Sequence, residues 1–412
     1  MTIARFLRRI LKGVAVLAVL VVLGAGALLA FAWLEHRTEV TLPIPTGSFT
    51  VGRTIQDWTD EAHVDTLAPV PGTKRELLVW IWYPSAAGQP AMMDDYLPAQ
   101  LRPKAAPEGG ANIWTLLTRD VSNVRGHSAR DPDVSPLQRS YPVVILRAGA
   151  SSGVLNYSTL AEDLASHGYV VVGFDAPYRT GRVVFPDGRM MGRTEQNNPE
   201  SCVVPDRSQM ERCASRVMTA WQSDIAFVLD RLARLNASDS SGKLLGRLDL
   251  TRVGVFGHSF GGAVAAQFCH EDSRCKAGID IDGAPHGSVI QAGLSQPFMF
   301  LLSDHGDASD PASSQILTDI KSIYDRIPPD RRLLATIRGA FHFTFSDDGA
   351  LLKSRVVRGV LRLSGKLGID GRRQLAVTAY CLHTFFDMYL KGAGGSRLSI
   401  SSPLYPEIEA LE

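Results

Sequence analysis

Arg252-Val253-Gly254-Val255-Phe256-Gly257-His258-Ser259-Phe260-Gly261-Gly262 is the stretch on which the fold reading turns. Arg252 to Phe256 reads as a strand and Gly261 to His270 as a helix of small residues. Between them stands a serine flanked by glycines at the spacing of a sharp strand-to-helix turn. Such a turn lifts the hydroxyl off the end of a sheet with a helix N-terminus pointing at it, which makes Ser259 the candidate nucleophile. A glycine-rich turn in a purely structural sheet carries the same five letters; the strand before and the helix after favour the chemical reading.

Outward from this turn, apolar runs alternate with amphipathic helices, the pattern of a parallel sheet covered on both faces. Glu76 to Tyr83, Pro142 to Leu146, Tyr169 to Phe174, Ala277 to Ile281, Phe298 to Leu302 and Arg332 to Arg338 read as strands. Tyr157 to His167, with Tyr157, Leu160, Ala161 and Leu164 on one face, reads as a helix, and so does the periodic run from Val217 to Leu235. The expected class is α/β: an α/β-hydrolase fold with a mostly parallel central sheet and helices on both faces. The catalytic domain is expected over 73–400, with lid-like insertions at about 85–140 and 182–214, and residues 38–72 read as a linker passing into edge structure.

The chain of 412 residues carries 43 basic and 42 acidic side chains, a net charge of +1, so no global field draws nucleic acid or an acidic polymer. Arg5, Arg8, Arg9 and Lys12 precede an uncharged apolar run from Val14 to Leu34, long enough to cross a bilayer core. Residues 1–37 are therefore expected to anchor the chain in a membrane, with the basic flank cytoplasmic and the catalytic part on the periplasmic or extracellular side. A cleaved signal leading to secretion is the alternative, since Ala30-Phe31-Ala32 has small residues at cleavage spacing. Five cysteines suit export: Cys202 with Cys213 and Cys269 with Cys275 are the expected disulfides, leaving Cys381 as a buried thiol. No metal-ligand spacing accompanies them, and no cofactor is expected.

A serine hydroxyl needs a base, an acid to orient that base, and donors for the oxyanion. In a sheet of this kind the chain order is nucleophile, acid, histidine, each beyond a strand's C-terminal end. His342 fits the base, because it follows the strand Arg332 to Arg338 after a short turn. For the acid, position alone leaves Asp282, at the end of Ala277 to Ile281, open against Asp304 and Asp307, which follow the next strand. The Phe260 amide, directly after the serine, is one expected oxyanion donor.

Four stretches in order resemble the platelet-activating factor acetylhydrolase family of lipid esterases, within the α/β-hydrolase superfamily. They are Trp82-Tyr83-Pro84, Leu164-Ala165-Ser166-His167-Gly168-Tyr169, Gly257 to Gly262, and Ile337-Arg338-Gly339-Ala340-Phe341-His342. The resemblance implies an acid one strand earlier than in most relatives, which places it at Asp282 within Gly278-Ile279-Asp280-Ile281-Asp282-Gly283. It also implies Ala150, in Arg147-Ala148-Gly149-Ala150, as the second oxyanion amide; the family has a His-Gly pair where this chain has Ala148-Gly149. The implied activity is serine-dependent hydrolysis of lipid or small esters. Two other readings stand beside it: a dienelactone or polyester-type hydrolase with the acid at Asp304 or Asp307, and a non-catalytic hydrolase-fold binding protein.

Overall fold

The computed structural model describes residues 3–86, 93–102, 120–150, 152–202, 207–304, 311–352, 358–359, 362–363, 368–393 and 400–411. Its strands in chain order are β1 (Val40–Thr41), β2 (Thr50–Val64), β3 (Lys74–Ser85), β4 (Met93–Asp95), β5 (Val124–Arg130), β6 (Tyr141–Arg147), β7 (Val170–Asp175), β8 (Arg182–Val184), β9 (Met190–Gly192), β10 (Leu248–His258), β11 (Cys275–Ile281), β12 (Phe298–Leu302), β13 (Arg332–Ile337) and β14 (Ile408–Leu411). The longer helices are α1 (Ile3–Arg37), α2 (Ser158–Ser166), α3 (Arg207–Ser238), α4 (Phe260–Glu271), α5 (Pro311–Tyr324) and α6 (Gly371–Lys391).

Apart from the β8–β9 hairpin, the strands join one 12-stranded mixed sheet in the order β1-β5-β2-β3-β7-β6-β10-β11-β12-β13-β14, with β4 on β5. From β7 to β13 every neighbouring pair is parallel, while β3 and β14 flank that block antiparallel. Strands covered on both faces read as unbroken apolar runs whose alternate residues serve opposite cores. Val144, Leu146, Phe256, Ile279 and Met299 pack under α2 and α6 with Leu160, Leu164, Leu382 and Phe386. Val143, Ile145, Val255 and Phe300 pack on the other face against Val217, Trp221 and Ile225 of α3, Val264 of α4 and Ile320 of α5.

The edge differs from expectation. Residues 85–140, expected to lie over the sheet, instead supply β4 and β5, and β5 is inserted between β1 and β2. Within 38–72 the chain builds the 15-residue β2, paired along its length with β3, and β3 continues through Pro84 to Ser85 because Pro84 sits at the strand end opposite Val51. The apolar patch at Ile113 to Leu117 lies outside the described residues. In the second expected insertion, the hairpin β8–β9 and two 3-10 turns precede α3, which begins at Arg207, before the first periodic residue Val217.

Cys202–Cys213 and Cys269–Cys275 are disulfides, and Cys381 is a buried free cysteine. The second bridge closes the turn from α4 into β11 and so fixes the far end of the helix that follows Ser259. Replacing Cys269 and Cys275 together by serine is expected to lower unfolding stability by about 2 kcal/mol. Urea denaturation of the oxidised wild type and the double variant measures this, and coincident midpoints would contradict it.

Helix α1 contains the stretch Arg9–Arg37, whose most apolar 18 residues have mean hydropathy 2.8, long and apolar enough to cross a membrane by length and composition. Its last turn meets the sheet edge: Asp120 N–H donates to the His36 carbonyl (2.9 Å) and Asn123 Nδ2 to the Arg37 carbonyl (3.2 Å).

Candidate active site

Ser259 links β10 to α4 with φ 56° and ψ −128°. Only four non-glycine residues among those described have positive φ, and two of them are Ser259 and Asp282. Each such residue stores on the order of 1–3 kcal/mol of backbone strain, which persists where its surroundings over-determine it. Here they do. A Cβ at Gly257 would overlap the Gly261 carbonyl, one at Gly261 would overlap the Ala148 carbonyl, and one at Gly262 would overlap Oδ1 of Asp280. The glycine spacing is therefore a packing requirement of the turn. Burial holds the Asp280 carboxyl well above the usual carboxylate range, and its Oδ1 accepts the Gly283 N–H (2.9 Å) beneath the same turn.

Parallel register brings the candidate acid beside the serine. Ser259 N–H donates to the Ile281 carbonyl (2.8 Å), and the next residue, Asp282, donates its N–H to the Leu301 carbonyl (2.9 Å). The Asp282 side chain is fully buried and, among the described residues, accepts from His342 Nδ1 at Oδ2 (2.7 Å), Ser303 Oγ at Oδ2 (2.7 Å) and Ser303 N–H at Oδ1 (2.8 Å). These bonds compensate the desolvation of the buried carboxylate. With Nδ1–H given to Asp282, Nε2 of His342 is left as the acceptor on a ring that is 30% exposed.

Asp304 does a different job. Its Oδ2 accepts the Gly339 N–H (2.8 Å) and its own N–H donates to the Ala340 carbonyl (3.1 Å), so it braces the turn that carries His342. Asp307 lies outside the described residues.

Gly149 and Ala150 run alongside the serine: a Cβ on Gly149 would lie 3.4 Å from the Ser259 Cβ. Tyr157 Oη accepts the Gly149 N–H (3.2 Å), the Gly149 carbonyl accepts the Ser152 N–H (3.1 Å), and the Ala150 carbonyl accepts from Arg193 (2.7 Å). The Ala150 N–H has no acceptor among the described residues. Phe260, the first residue of α4, likewise presents an amide from the helix's unpaired first turn.

The supporting residues Ser303, Tyr157, His258 and Arg193 were not legible as site residues. Tyr157 reads as one apolar position of a helix face, and only a partner search for its hydroxyl would single it out. His258 turns its Nδ1 to the Tyr157 hydroxyl (2.8 Å), and its ring packs 4.6 Å from that of His342.

Burial, and secondarily the neighbouring His342, pushes His258 down to about 3. A histidine normally titrates near 6.5, so between that value and about 3 the unfolded chain binds a proton that the folded chain refuses, and stability falls as pH drops. From pH 7 to pH 5 this group should cost about 2 kcal/mol. The unfolding free energy of His258→Gln should therefore fall less steeply over that range than that of the wild type, measured by urea titration at each pH. Parallel pH profiles would refute the assignment.

The one group of metal-ligand side chains among the described residues is Asp163, His167 and His383. The two rings stack at 4.0 Å and 17°, so their in-plane lone pairs run side by side instead of converging. His383 Nδ1 is bonded to Asp163 (3.1 Å) and His167 Nε2 to Thr46 Oγ1 (2.9 Å), a polar latch between α2, α6 and the segment after α1.

Comparison with known proteins places this geometry in a class. A solved structure of a ferulic acid esterase from Streptomyces cinnamoneus superposes with a TM-score of 0.70 at 26% sequence identity, covering 90% of this chain and 99% of that one. The chain is a serine ester hydrolase.

Residues 228–391 match the family model for platelet-activating factor acetylhydrolase, isoform II. A probable 1-alkyl-2-acetylglycerophosphocholine esterase of Arthroderma benhamiae is 26% identical over 398 residues, 90% of this chain and 94% of that protein. The platelet-activating factor acetylhydrolase of Cavia porcellus is 26% identical over 255 residues, spanning 57% of this chain and 55% of its own length. The chain is thus similar to platelet-activating factor acetylhydrolases over part of its length and to the fungal esterase over most of it.

Proposed function

We propose that the chain, built on an α/β-hydrolase fold, hydrolyses carboxylic esters through an acyl-enzyme on Ser259. His342 Nε2 takes the hydroxyl proton as Oγ attacks the ester carbonyl, and then returns it to the departing alcohol. Asp282 holds the imidazole tautomer and stabilises its cation, while the Phe260 and Ala150 amides receive the oxyanion. Water, deprotonated by His342, releases the acid. The observation that carries this reading is the 2.7 Å bond from His342 to a buried Asp282, one register step from a serine in strained backbone. Asp304, occupied with the Gly339 turn, does not favour the dienelactone-type alternative.

The substrate class proposed is a lipid or small ester with an apolar part. Phe343 is 61% exposed, edge-on to the His342 ring at 5.2 Å and 5.5 Å from Phe341, an apolar rim next to the base. A p-nitrophenyl ester series of rising acyl length, run with fluorophosphonate labelling, tests the reading; a chain that neither labels nor turns over any ester is the non-catalytic binding protein. In the same series Phe343→Ala is expected to raise KM about 5- to 10-fold for the apolar esters and leave ethyl acetate unchanged. An equal effect on every ester would remove Phe343 from substrate binding.

On this reading α1 is an anchor that keeps the catalytic domain at the outer face of a membrane, and the two disulfides suit that oxidising side.

A further inference from the structure

The peptide between Gly149 and Ala150 carries the amide assigned above to the oxyanion, and glycine is the residue least able to fix a peptide plane by itself. In this structure both neighbouring peptides are pinned by side chains from elsewhere in the chain. On one side the Gly149 N–H donates to Tyr157 Oη (3.2 Å), and the Tyr157 hydroxyl is in turn hydrogen-bonded to Nδ1 of His258 (2.8 Å). On the other side Arg193, just beyond β9, donates to the Ala150 carbonyl (2.7 Å). The Gly149 carbonyl is held by the Ser152 N–H, so the plane between the two pins is set and the Ala150 N–H is turned away from that bond. Tyr157 and His258 are buried, and the His258 ring lies 4.6 Å from that of His342 and precedes Ser259 in the chain.

We propose that Tyr157, seated on His258, and Arg193 are positioning residues that set the oxyanion amide of Ala150 from opposite sides. The inference rests on the assignment of Ser259 and Ala150 made above. In this chain the residue before Gly149 is Ala148, which has no polar side chain to hold the loop from within. Holding is left to a tyrosine at the start of α2 and to an arginine on the segment between β7 and α3. Cys202 on that segment is bridged to Cys213 in α3, so the segment that brings Arg193 to the amide is tied to that helix.

Tyr157→Phe keeps the buried ring and deletes only the hydroxyl; Arg193→Met removes the other pin from the surface and remains informative should the first variant fold poorly. For each in the full-length chain, kcat for a p-nitrophenyl ester is expected to fall on the order of 10- to 100-fold with KM within about twofold. Affinity for a trifluoromethyl ketone, which forms an oxyanion on the serine, should fall in proportion, while affinity for the matching methyl ketone should hold. If kcat stays within twofold in both variants, or both ketones weaken equally as a packing defect would make them, the proposal is wrong. Wild-type fluorophosphonate labelling separates this from failure of the catalytic reading: without labelling of Ser259 that reading fails first.

Discussion

Ser259→Ala is expected to lower kcat for a p-nitrophenyl ester about 10⁵- to 10⁶-fold and to abolish fluorophosphonate labelling, with the folded state unchanged. The two outcomes belong together because of where the strain resides. The φ of 56° is imposed by the glycines around the turn and by the bond from Ser259 N–H to the Ile281 carbonyl, neither of which involves Oγ. Alanine meets the same backbone requirement as serine, so the melting temperature should move by no more than a few degrees. Residual turnover above water alone would come from the oxyanion amides and from substrate binding. Retained labelling, or a variant within tenfold of wild type, would move the nucleophile elsewhere.

Asp282→Asn should cost about 10⁴-fold in kcat. The carboxylate accepts the Nδ1 proton of His342 and two donors from Ser303. An asparagine amide at the Oδ2 position donates where acceptance is required, so His342 is driven to carry its proton on Nε2, the nitrogen that must receive the serine proton. KM should change little, since Asp282 does not face the substrate. Asp304→Asn is the matched control: it disturbs the hydrogen bond to Gly339 and should remain within about tenfold of wild type. The reverse ranking, with Asp304→Asn inactive and Asp282→Asn active, would transfer the acid to the next strand.

The parallel block and its turn were legible because each of its strands carries a mostly apolar run and the helices around it a periodic face, signals that survive without tertiary information. Asp282 was harder. Position left it open against Asp304 and Asp307, because each follows a strand and chain order does not say which strand ends beside the serine. In the structure β11 ends at Ile281, whose carbonyl accepts the Ser259 N–H, and Asp282 just beyond it bonds His342, while Asp304 bonds the Gly339 turn. Strand β2 escaped notice because Gly52, Thr54, Gln56, Asp57, Thr59 and Asp60 interrupt its apolar alternation, and its identity comes from long-range pairing with β3. β14 is a four-residue strand whose place depends on β13, far away in sequence. The Tyr157 and Arg193 contacts to the Gly149–Ala150 loop depend on where three separate elements meet, and no local pattern announces them.

Gly262 and Asp280 meet so closely beneath the nucleophile turn that a Cβ cannot be added at 262 while residue 280 keeps its carboxylate. Across descendants of such a chain the two positions should change in a fixed order. A methyl group at 262 would be admissible only in a lineage that had already shortened residue 280, so the order in which substitutions arrive would decide which of them are survivable.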